Sequence, residues 1–183
     1  MKNNLLRIIG GKWKRRQLGF ANIDGLRPTP DRVRETLFNW LMWDIQNASV
    51  LDICTGSGAL GFEALSRGAS ELLMIEPDKI QAKFLKENIQ LLQASNCQLK
   101  VAKAQDVLPS LQQQLFDVVF LDPPYTLNLW SELAILADPL IKSQALIYVE
   151  ADRELAQLSL PQTWQLIKQT KAGVVRAGLY QKQ

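Results

Sequence analysis

"SVLDICTGSGALGFEALSRG", residues 49–68, decides the fold. "SVLDIC" is a short apolar run of the kind that makes a buried strand, and "ALGFEALSRG" reads as a helix that stops near Gly68. Between them Gly56, Gly58 and Gly61 fall at GxGxxG spacing. That spacing turns a strand tightly into a helix and lets backbone approach a ligand closely. The next apolar run, "ELLMIE", ends on Glu76, an acid placed to accept hydrogen bonds from a ribose diol.

Downstream, helix and strand patterns alternate. "DKIQAKFLKENIQLLQ" is a helix with Asp78 as its cap, "CQLKVAK" a third strand, and "VLPSLQQQ" a short helix. "DVVFLD" is a fourth strand, "LWSELAILAD" a helix and "ALIYVE" a fifth strand. The runs "WQLIKQTKAG" and "VVRAGLYQKQ" pair as a closing antiparallel hairpin. The fold class is therefore α/β: a mostly parallel sheet with helices on both faces and an antiparallel edge. Upstream, "LLRIIGGKWKRRQLGF" splits around Gly10 and Gly11 into a β-hairpin, with Leu6, Ile8, Trp13 and Leu18 facing a core. "LRPTPDRVRETLFNWL" opens a helix with Thr29 as cap and Pro30 at its first position. Its buried stripe is Val33, Leu37, Trp40 and Leu41, which leaves Arg32 and Arg34 to meet a ligand or solvent.

With 183 residues, 47% of them hydrophobic, the chain can build one sizeable core with a small appendage. It has no histidine, which excludes serine–histidine and cysteine–histidine mechanisms. Cys54 and Cys97 form neither a disulfide framework nor a metal-ligand pattern, so no metal is expected. Without an apolar leader or a membrane-length apolar run, a cytoplasmic, soluble protein is expected. The first 40 residues carry nine Lys and Arg against three acids, a net +6, while the remainder is net −3. Lys12, Lys14, Arg15 and Arg16 crowd around Trp13, the pattern of a polyanion-binding face. Trp13 itself suits either stacking on a base or packing in the apolar alternation.

Two ligands fit the glycine loop, a nicotinamide dinucleotide and S-adenosylmethionine. A dinucleotide puts its pyrophosphate at the helix N-terminus. S-adenosylmethionine instead brings an ammonium and a sulfonium, which want carboxylates. Asp52, four residues before Gly56, works against a pyrophosphate and for those cations, and Asp106 can accept from an adenine amine. "DVVFLDPPYTLN", residues 117–128, completes the site. Pro123 and Pro124 end the strand at Asp122 and hold it in a stiff lip beside Tyr125. An exocyclic base amine is a poor nucleophile because its lone pair is shared with the ring. The Asp122 carboxylate and the Pro123 carbonyl can accept its two N–H groups, localise the lone pair and gain strength as the amine turns cationic. Tyr125 can stack on the base, once the base is flipped out of any helix.

These residues carry a resemblance. "DICTGSGALGFEALSRGA" with "LDPPY" resembles the S-adenosylmethionine-dependent amino-methyltransferases. "RIIGGKWKRRQL", "LRPTPDRVRETLFNWL" and "YVE" are similar to the RsmD family, bacterial enzymes that methylate N2 of guanine 966 in 16S ribosomal RNA. The resemblance covers about residues 6–181. It implies a Rossmann-like class I methyltransferase fold: a seven-stranded mixed sheet over residues 27–183 and a basic β-hairpin extension over residues 1–26. It implies a substrate in the RNA of the assembled or assembling small ribosomal subunit, and a monomer is expected. The family's motifs put Asp122, Pro123 and Tyr125 at the guanine amine, and Asp52, Gly56, Ser57, Gly58, Glu76 and Asp106 around the cofactor. Arg27, Arg32 and Arg34 are expected near the RNA or the methionine end of the cofactor. Cys54 and Thr55 stand where the family usually has Phe and Ala, an exchange expected to touch no hydrogen-bonding role. The alternatives are methylation of an adenine or a protein amide, a nicotinamide oxidoreductase, and a non-catalytic assembly factor. Adenine and amide sites more often carry Asn where this chain has Asp122.

Overall fold

The structure is a computed structural model, which describes residues 4–23, 25–26, 28–111 and 114–183. Arg27 lies outside the described residues. Among them the chain forms β1 (Asn4–Arg7), β2 (Gln17–Phe20), α1 (Asp31–Trp40), β3 (Ser49–Asp52), α2 (Ala59–Ser66), β4 (Glu71–Ile75) and α3 (Lys79–Leu92). Then follow β5 (Cys97–Lys100), α4 (Ala104–Val107), β6 (Phe116–Leu121), α5 (Trp130–Ala137), β7 (Ile141–Ala151), β8 (Trp164–Ala172) and β9 (Val175–Lys182). Short 3₁₀ turns join several of them.

β1 and β2 pair antiparallel as a separate two-stranded sheet. The other strands make one seven-stranded sheet in the order β5-β4-β3-β6-β7-β9-β8. β5 through β7 run parallel, and β9 returns antiparallel beside β7 with β8 at the edge. The chain builds outward from β3 to β4 and β5, then crosses back to lay β6 on the other side of β3. The strand order therefore reverses between β3 and β6, and in open α/β sheets ligands bind beyond the carboxyl ends of the strands at such a point. Asp52 and Asp122 stand at those two ends.

Strand alternation sorts the core into two layers. Val50, Met74, Val118, Phe120 and Tyr148 pack with α1, α2, α3 and the N-terminal hairpin. Leu51, Leu73, Val119, Leu121 and Ile147 pack with α4 and α5. Phe120 is sealed at the centre of the first layer, edge-on to Phe38 and Tyr148 at 6.1 and 6.3 Å between ring centroids. Burying such a ring contributes about 2–3 kcal/mol.

The hairpin extension shares this core through Leu6, Ile8, Trp13, Leu18 and Phe20. The indole of Trp13 is 9% exposed, so it packs, with the Lys12 ammonium 4.3 Å above its ring. Backbone approach fixes the docking. Gly11 sits at φ 75°, and a Cβ there would fall 1.8 Å from the Ser66 carbonyl oxygen. The Lys12 N–H donates to that carbonyl at 2.7 Å, and the Trp13 N–H donates to the Ser66 hydroxyl at 2.9 Å. Glu63, fully buried on α2, accepts the N–H groups of Ile9 and Gly10 at 2.8 and 2.7 Å and the Arg67 Nε at 2.7 Å.

Two expectations need correcting. Thr29 does not cap α1: the helix starts at Asp31, Pro30 stands at the cap with no side-chain bond, and Thr29 is buried elsewhere. Arg34 does not face ligand or solvent. It is 1% exposed, donates to the Arg7 carbonyl at 3.0 Å and to Asp31 at 2.5 Å, and lies 3.6 Å from Glu63. The hairpin covers that face of α1, which an isolated helix would have turned to water.

Candidate active site

The glycine loop follows β3 as a left-handed excursion, with φ 53° at Gly56 and 83° at Gly58. Gly58 stands at the N-terminus of α2, where a Cβ would meet the Phe62 ring at 2.6 Å. Asp52 lies against the first turn of α2, where a Cβ on Gly61 would fall 3.0 Å from its carboxylate. Thr55 ties the loop to the neighbouring strand. Its hydroxyl donates to the Asp52 carbonyl and accepts the Ile75 N–H, each at 3.1 Å. The exchange at this position does touch a hydrogen-bonding role, which the sequence reading denied.

Glu76 accepts the Gly56 N–H at 3.0 Å and the Asp78 N–H at 2.8 Å. Gln81 then links loop to hairpin: its amide donates to the Gly56 carbonyl at 2.7 Å and accepts the Ala21 N–H at 2.8 Å.

Beyond β6, Asp122 is half-buried, Pro123 buried and Pro124 exposed, and a 3₁₀ turn carries Tyr125. The Tyr125 ring stacks on Trp130, with centroids 6.0 Å apart and planes 27° from parallel. Trp130 is fixed from behind by its indole N–H on the Glu150 carbonyl at 2.8 Å, and the Arg153 guanidinium lies 4.7 Å from its ring. The Tyr125 hydroxyl donates to Glu150 at 2.9 Å, and the Tyr148 hydroxyl donates to the same carboxylate at 2.7 Å. Thr29 is buried close to both Asp122 and Glu150. Neither Glu150 nor Thr29 was read from sequence as a site residue, although "YVE" holds two apolar-strand positions that an acid and a phenol would occupy only for a reason.

Four acids thus stand at the carboxyl ends of four adjacent strands: Glu76, Asp52, Asp122 and Glu150, after or on β4, β3, β6 and β7. Among the described residues none of them forms a salt bridge. Burial raises Asp52 to about 7, against the backbone bond from Gly61. Burial also raises Glu76 and Glu150, and it pushes Asp122 well up, helped by the charges of Glu150 and Asp52. The Cys54 thiol is pushed well up by burial and then by Asp122, Asp52 and Glu76, so it is no thiolate nucleophile. One Asp52 carboxylate oxygen is buried without a hydrogen-bond partner among the described residues. Acids held toward their neutral form by burial gain from a ligand that brings positive charge and restores the ionised form, and they offer nothing to a pyrophosphate.

The sequence family described as "Conserved hypothetical protein 95" matches residues 6–181. The chain is 46% identical over 181 residues to the ribosomal RNA small subunit methyltransferase D of Haemophilus influenzae, covering 96% of this chain and 93% of the relative. It is 42% identical to the protein of that name from Escherichia coli, with 97% and 90% covered. The chain belongs to the ribosomal RNA small subunit methyltransferase D family. A solved structure described as the putative methyltransferase yhhF from Escherichia coli superposes with a TM-score of 0.90 at 41% identity, covering 98% of this chain and 99% of the other. The class I methyltransferase fold inferred for this family is the fold described above.

The chain's expected site residues divide by position. Asp52, Gly56, Ser57, Gly58 and Glu76 lie at the ends of β3 and β4 and in the loop into α2, and Asp122, Pro123 and Tyr125 follow β6 at the same edge of the sheet. Asp106 is exposed on α4, in contrast to the buried acids. Lys12, Lys14, Arg15, Arg16 and Arg32 are exposed, whereas Arg34 is buried. A concavity of about 310 Å³ lined by Arg7, Ile8, Ile9, Lys14, Arg15 and Glu35 lies on this basic face and includes none of the four acids.

Proposed function

We infer that this chain transfers a methyl group from S-adenosylmethionine to the N2 amine of guanine 966 in 16S ribosomal RNA. The observation that carries the reading is a row of four acids, three buried and Asp122 half-buried, none with a cationic partner among the described residues, on a chain of this family. S-adenosylmethionine, when bound, supplies an electrophilic methyl group on a cationic sulfur.

The residues divide the work. Asp52 and its unpartnered oxygen suit the positive charge of the cofactor. Glu76 is held by two backbone donors with lone pairs to spare for a ribose diol. Ser57, Gly56 and Gly58 form the loop between them, and Asp106 serves the adenine edge. In its ionised form the Asp122 carboxylate is an acceptor only, so with the Pro123 carbonyl it suits an amine that presents two N–H groups. Holding that amine orients its lone pair, and the carboxylate strengthens its hold as charge develops on nitrogen. The Tyr125 ring, backed by Trp130, gives a flat surface for the flipped guanine. Lys12, Lys14, Arg15, Arg16, Arg32 and Arg27 serve the RNA backbone. The protein works in the cytoplasm as a monomer on the assembled or assembling small subunit.

Titration calorimetry with S-adenosylmethionine and with NADH, followed by a methylation panel of small-subunit particles, adenine-containing DNA and glutamine peptides, tests this reading. Micromolar binding of S-adenosylmethionine and methylation of the particle alone are expected. Binding of NADH alone, or methylation of DNA or peptide instead, overturns it.

A further inference from the structure

Glu150 has no part in the reading above, yet it anchors both rings of the stacked pair that follows β6. It is 3% exposed on β7, beside the end of β6, where Leu121 pairs with Val149. Its backbone carbonyl accepts the Trp130 indole N–H at 2.8 Å, and one carboxylate oxygen accepts the Tyr125 hydroxyl at 2.9 Å. The two rings so anchored are the stacked pair, 6.0 Å apart and 27° from parallel. The other carboxylate oxygen accepts the Tyr148 hydroxyl at 2.7 Å, and the buried Tyr148 ring lies edge-on to Phe120 in the core. Contacts therefore run without a break from the core through Tyr148 and Glu150 to Tyr125. Three residues on, Arg153 donates to the Asn128 side chain at 3.1 Å and ties down the far end of the same turn.

Stability of the strand does not explain an acid here. The neighbours Val149 and Ala151 are apolar and buried, and among the described residues no cation forms a salt bridge with Glu150. Burying a carboxylate under those conditions costs free energy. What the carboxylate does offer is two oxygens that only accept, so it takes both phenol protons at once. The consequence falls on Tyr125. With its hydroxyl on Glu150 and its ring against Trp130, the side chain is fixed at its tip and along its length, and it stays partly exposed three residues after Asp122.

We propose that Glu150 is a positioning residue for the target base: through its hydrogen bond to the Tyr125 hydroxyl it fixes the stacking ring before the base arrives. The inference rests on the reading that Tyr125 stacks on the flipped guanine. A ring already in place loses no rotamer freedom when the base docks, whereas an unanchored ring must be ordered at that moment. Ordering one such side chain is worth about three- to tenfold in the equilibrium that seats the base. Capture of the particle depends on phosphate contacts elsewhere, so the effect appears in the rate of methylation at saturation and not in particle affinity. Glu150 exchanges no proton in this role. A neutral side chain that keeps both hydrogen bonds should therefore serve nearly as well.

The test is a double-mutant cycle, read as the single-turnover rate of small-subunit particle methylation at saturating enzyme and S-adenosylmethionine. Tyr125→Phe keeps the ring and loses the anchor, and Glu150→Ala keeps the hydroxyl and loses its acceptor. Each is expected to slow the reaction by about three- to tenfold, with particle and S-adenosylmethionine affinities unchanged. The double variant should be no slower than the slower single one, because both changes remove the same contact. A merely structural role for Glu150 would instead add its loss to that of Tyr125→Phe. In Glu150→Gln the amide oxygen can accept from Tyr148 while the amide N–H donates to the Tyr125 oxygen, so the rate should recover to within about threefold of wild type. Tyr125→Phe removes only a hydroxyl from a partly exposed ring, which keeps the inference testable if Glu150→Ala does not fold. A wild-type rate in Tyr125→Phe, or additive losses in the double variant, overturns the proposal. Tyr125→Leu removes the ring itself and should be slower than Tyr125→Phe. A wild-type rate in Tyr125→Leu overturns the stacking reading beneath the proposal, so the two failures are told apart.

Discussion

The guanidinium of Arg34 lies 3.6 Å from the carboxylate of Glu63, and both side chains are sealed from solvent. One comes from α1, the other from α2, and the backbone of the hairpin closes over them. A basic residue in an arginine-rich segment is thus part of the joint that holds the extension to the body.

Arg34→Ala is therefore expected to act on stability. It leaves Glu63 buried with one cation fewer, a change that costs about 3 kcal/mol or more. Arg32→Ala, two residues away and exposed, should leave stability unchanged and weaken RNA binding. Urea unfolding and particle binding on both variants check the contrast. Equal stability of the two proteins would contradict the account.

Neutralising Lys14, Arg15 and Arg16 together should weaken binding to the particle and flatten its salt dependence. Each lost phosphate contact removes roughly one released counterion from the slope. These three side chains are exposed, while the hairpin meets the glycine loop through Ala21 and Gln81. Cofactor affinity should accordingly be unaffected. Affinity measured at several salt concentrations decides, and an unchanged slope contradicts the assignment.

The strands, their order-setting glycine loop and the Asp122 lip were legible in the sequence because each depends on local signals. Gly56 and Gly58 do take positive φ, Asp78 does cap α3, accepting the Gln81 N–H at 2.8 Å, and the prolines do end β6. What could not be read depends on contacts between distant segments. Thr29 fits a cap by every local rule, but the fold carries it to Asp122 and Glu150. Arg34 lies off the apolar stripe of α1, but the hairpin shelters it. Glu150 sits in an apolar strand, and only the approach of Tyr125 explains it.

Asp122→Asn changes shape little but turns one acceptor toward the amine into a donor. Turnover should fall roughly 10²-fold or more, the size of one lost transition-state contact, with cofactor affinity within a few-fold. Single-turnover kinetics and calorimetry on the variant measure both quantities. Near-normal turnover would show that the carboxylate does not hold the amine.

Asp52 gives a pH dependence with a definite sign. Its carboxyl is raised to about 7 in the fold, whereas an unfolded Asp titrates near about 4. Between those values the folded chain keeps a proton that the unfolded chain has lost. The resulting stability is complete below about pH 4 and is lost as pH rises through about 7. A cationic ligand reverses the preference, because it favours the ionised acid. S-adenosylmethionine should therefore bind more tightly as pH rises from 5.5 to 7.5, by up to about tenfold per unit, with net proton release near pH 6.5. Calorimetry in buffers of different ionisation enthalpy measures that release. Binding that is independent of pH and of buffer would contradict a role for the buried acids in holding the cofactor's charge.

The most direct test of the central claim is mass mapping of methylated nucleosides in 16S ribosomal RNA from cells with and without the gene. The account predicts N2-methylguanine at position 966 in the first and unmodified guanine there in the second, restored by the wild-type gene and not by one encoding Asp122→Asn. A position 966 that stays methylated without the gene, or a loss of methylation only elsewhere, would contradict it.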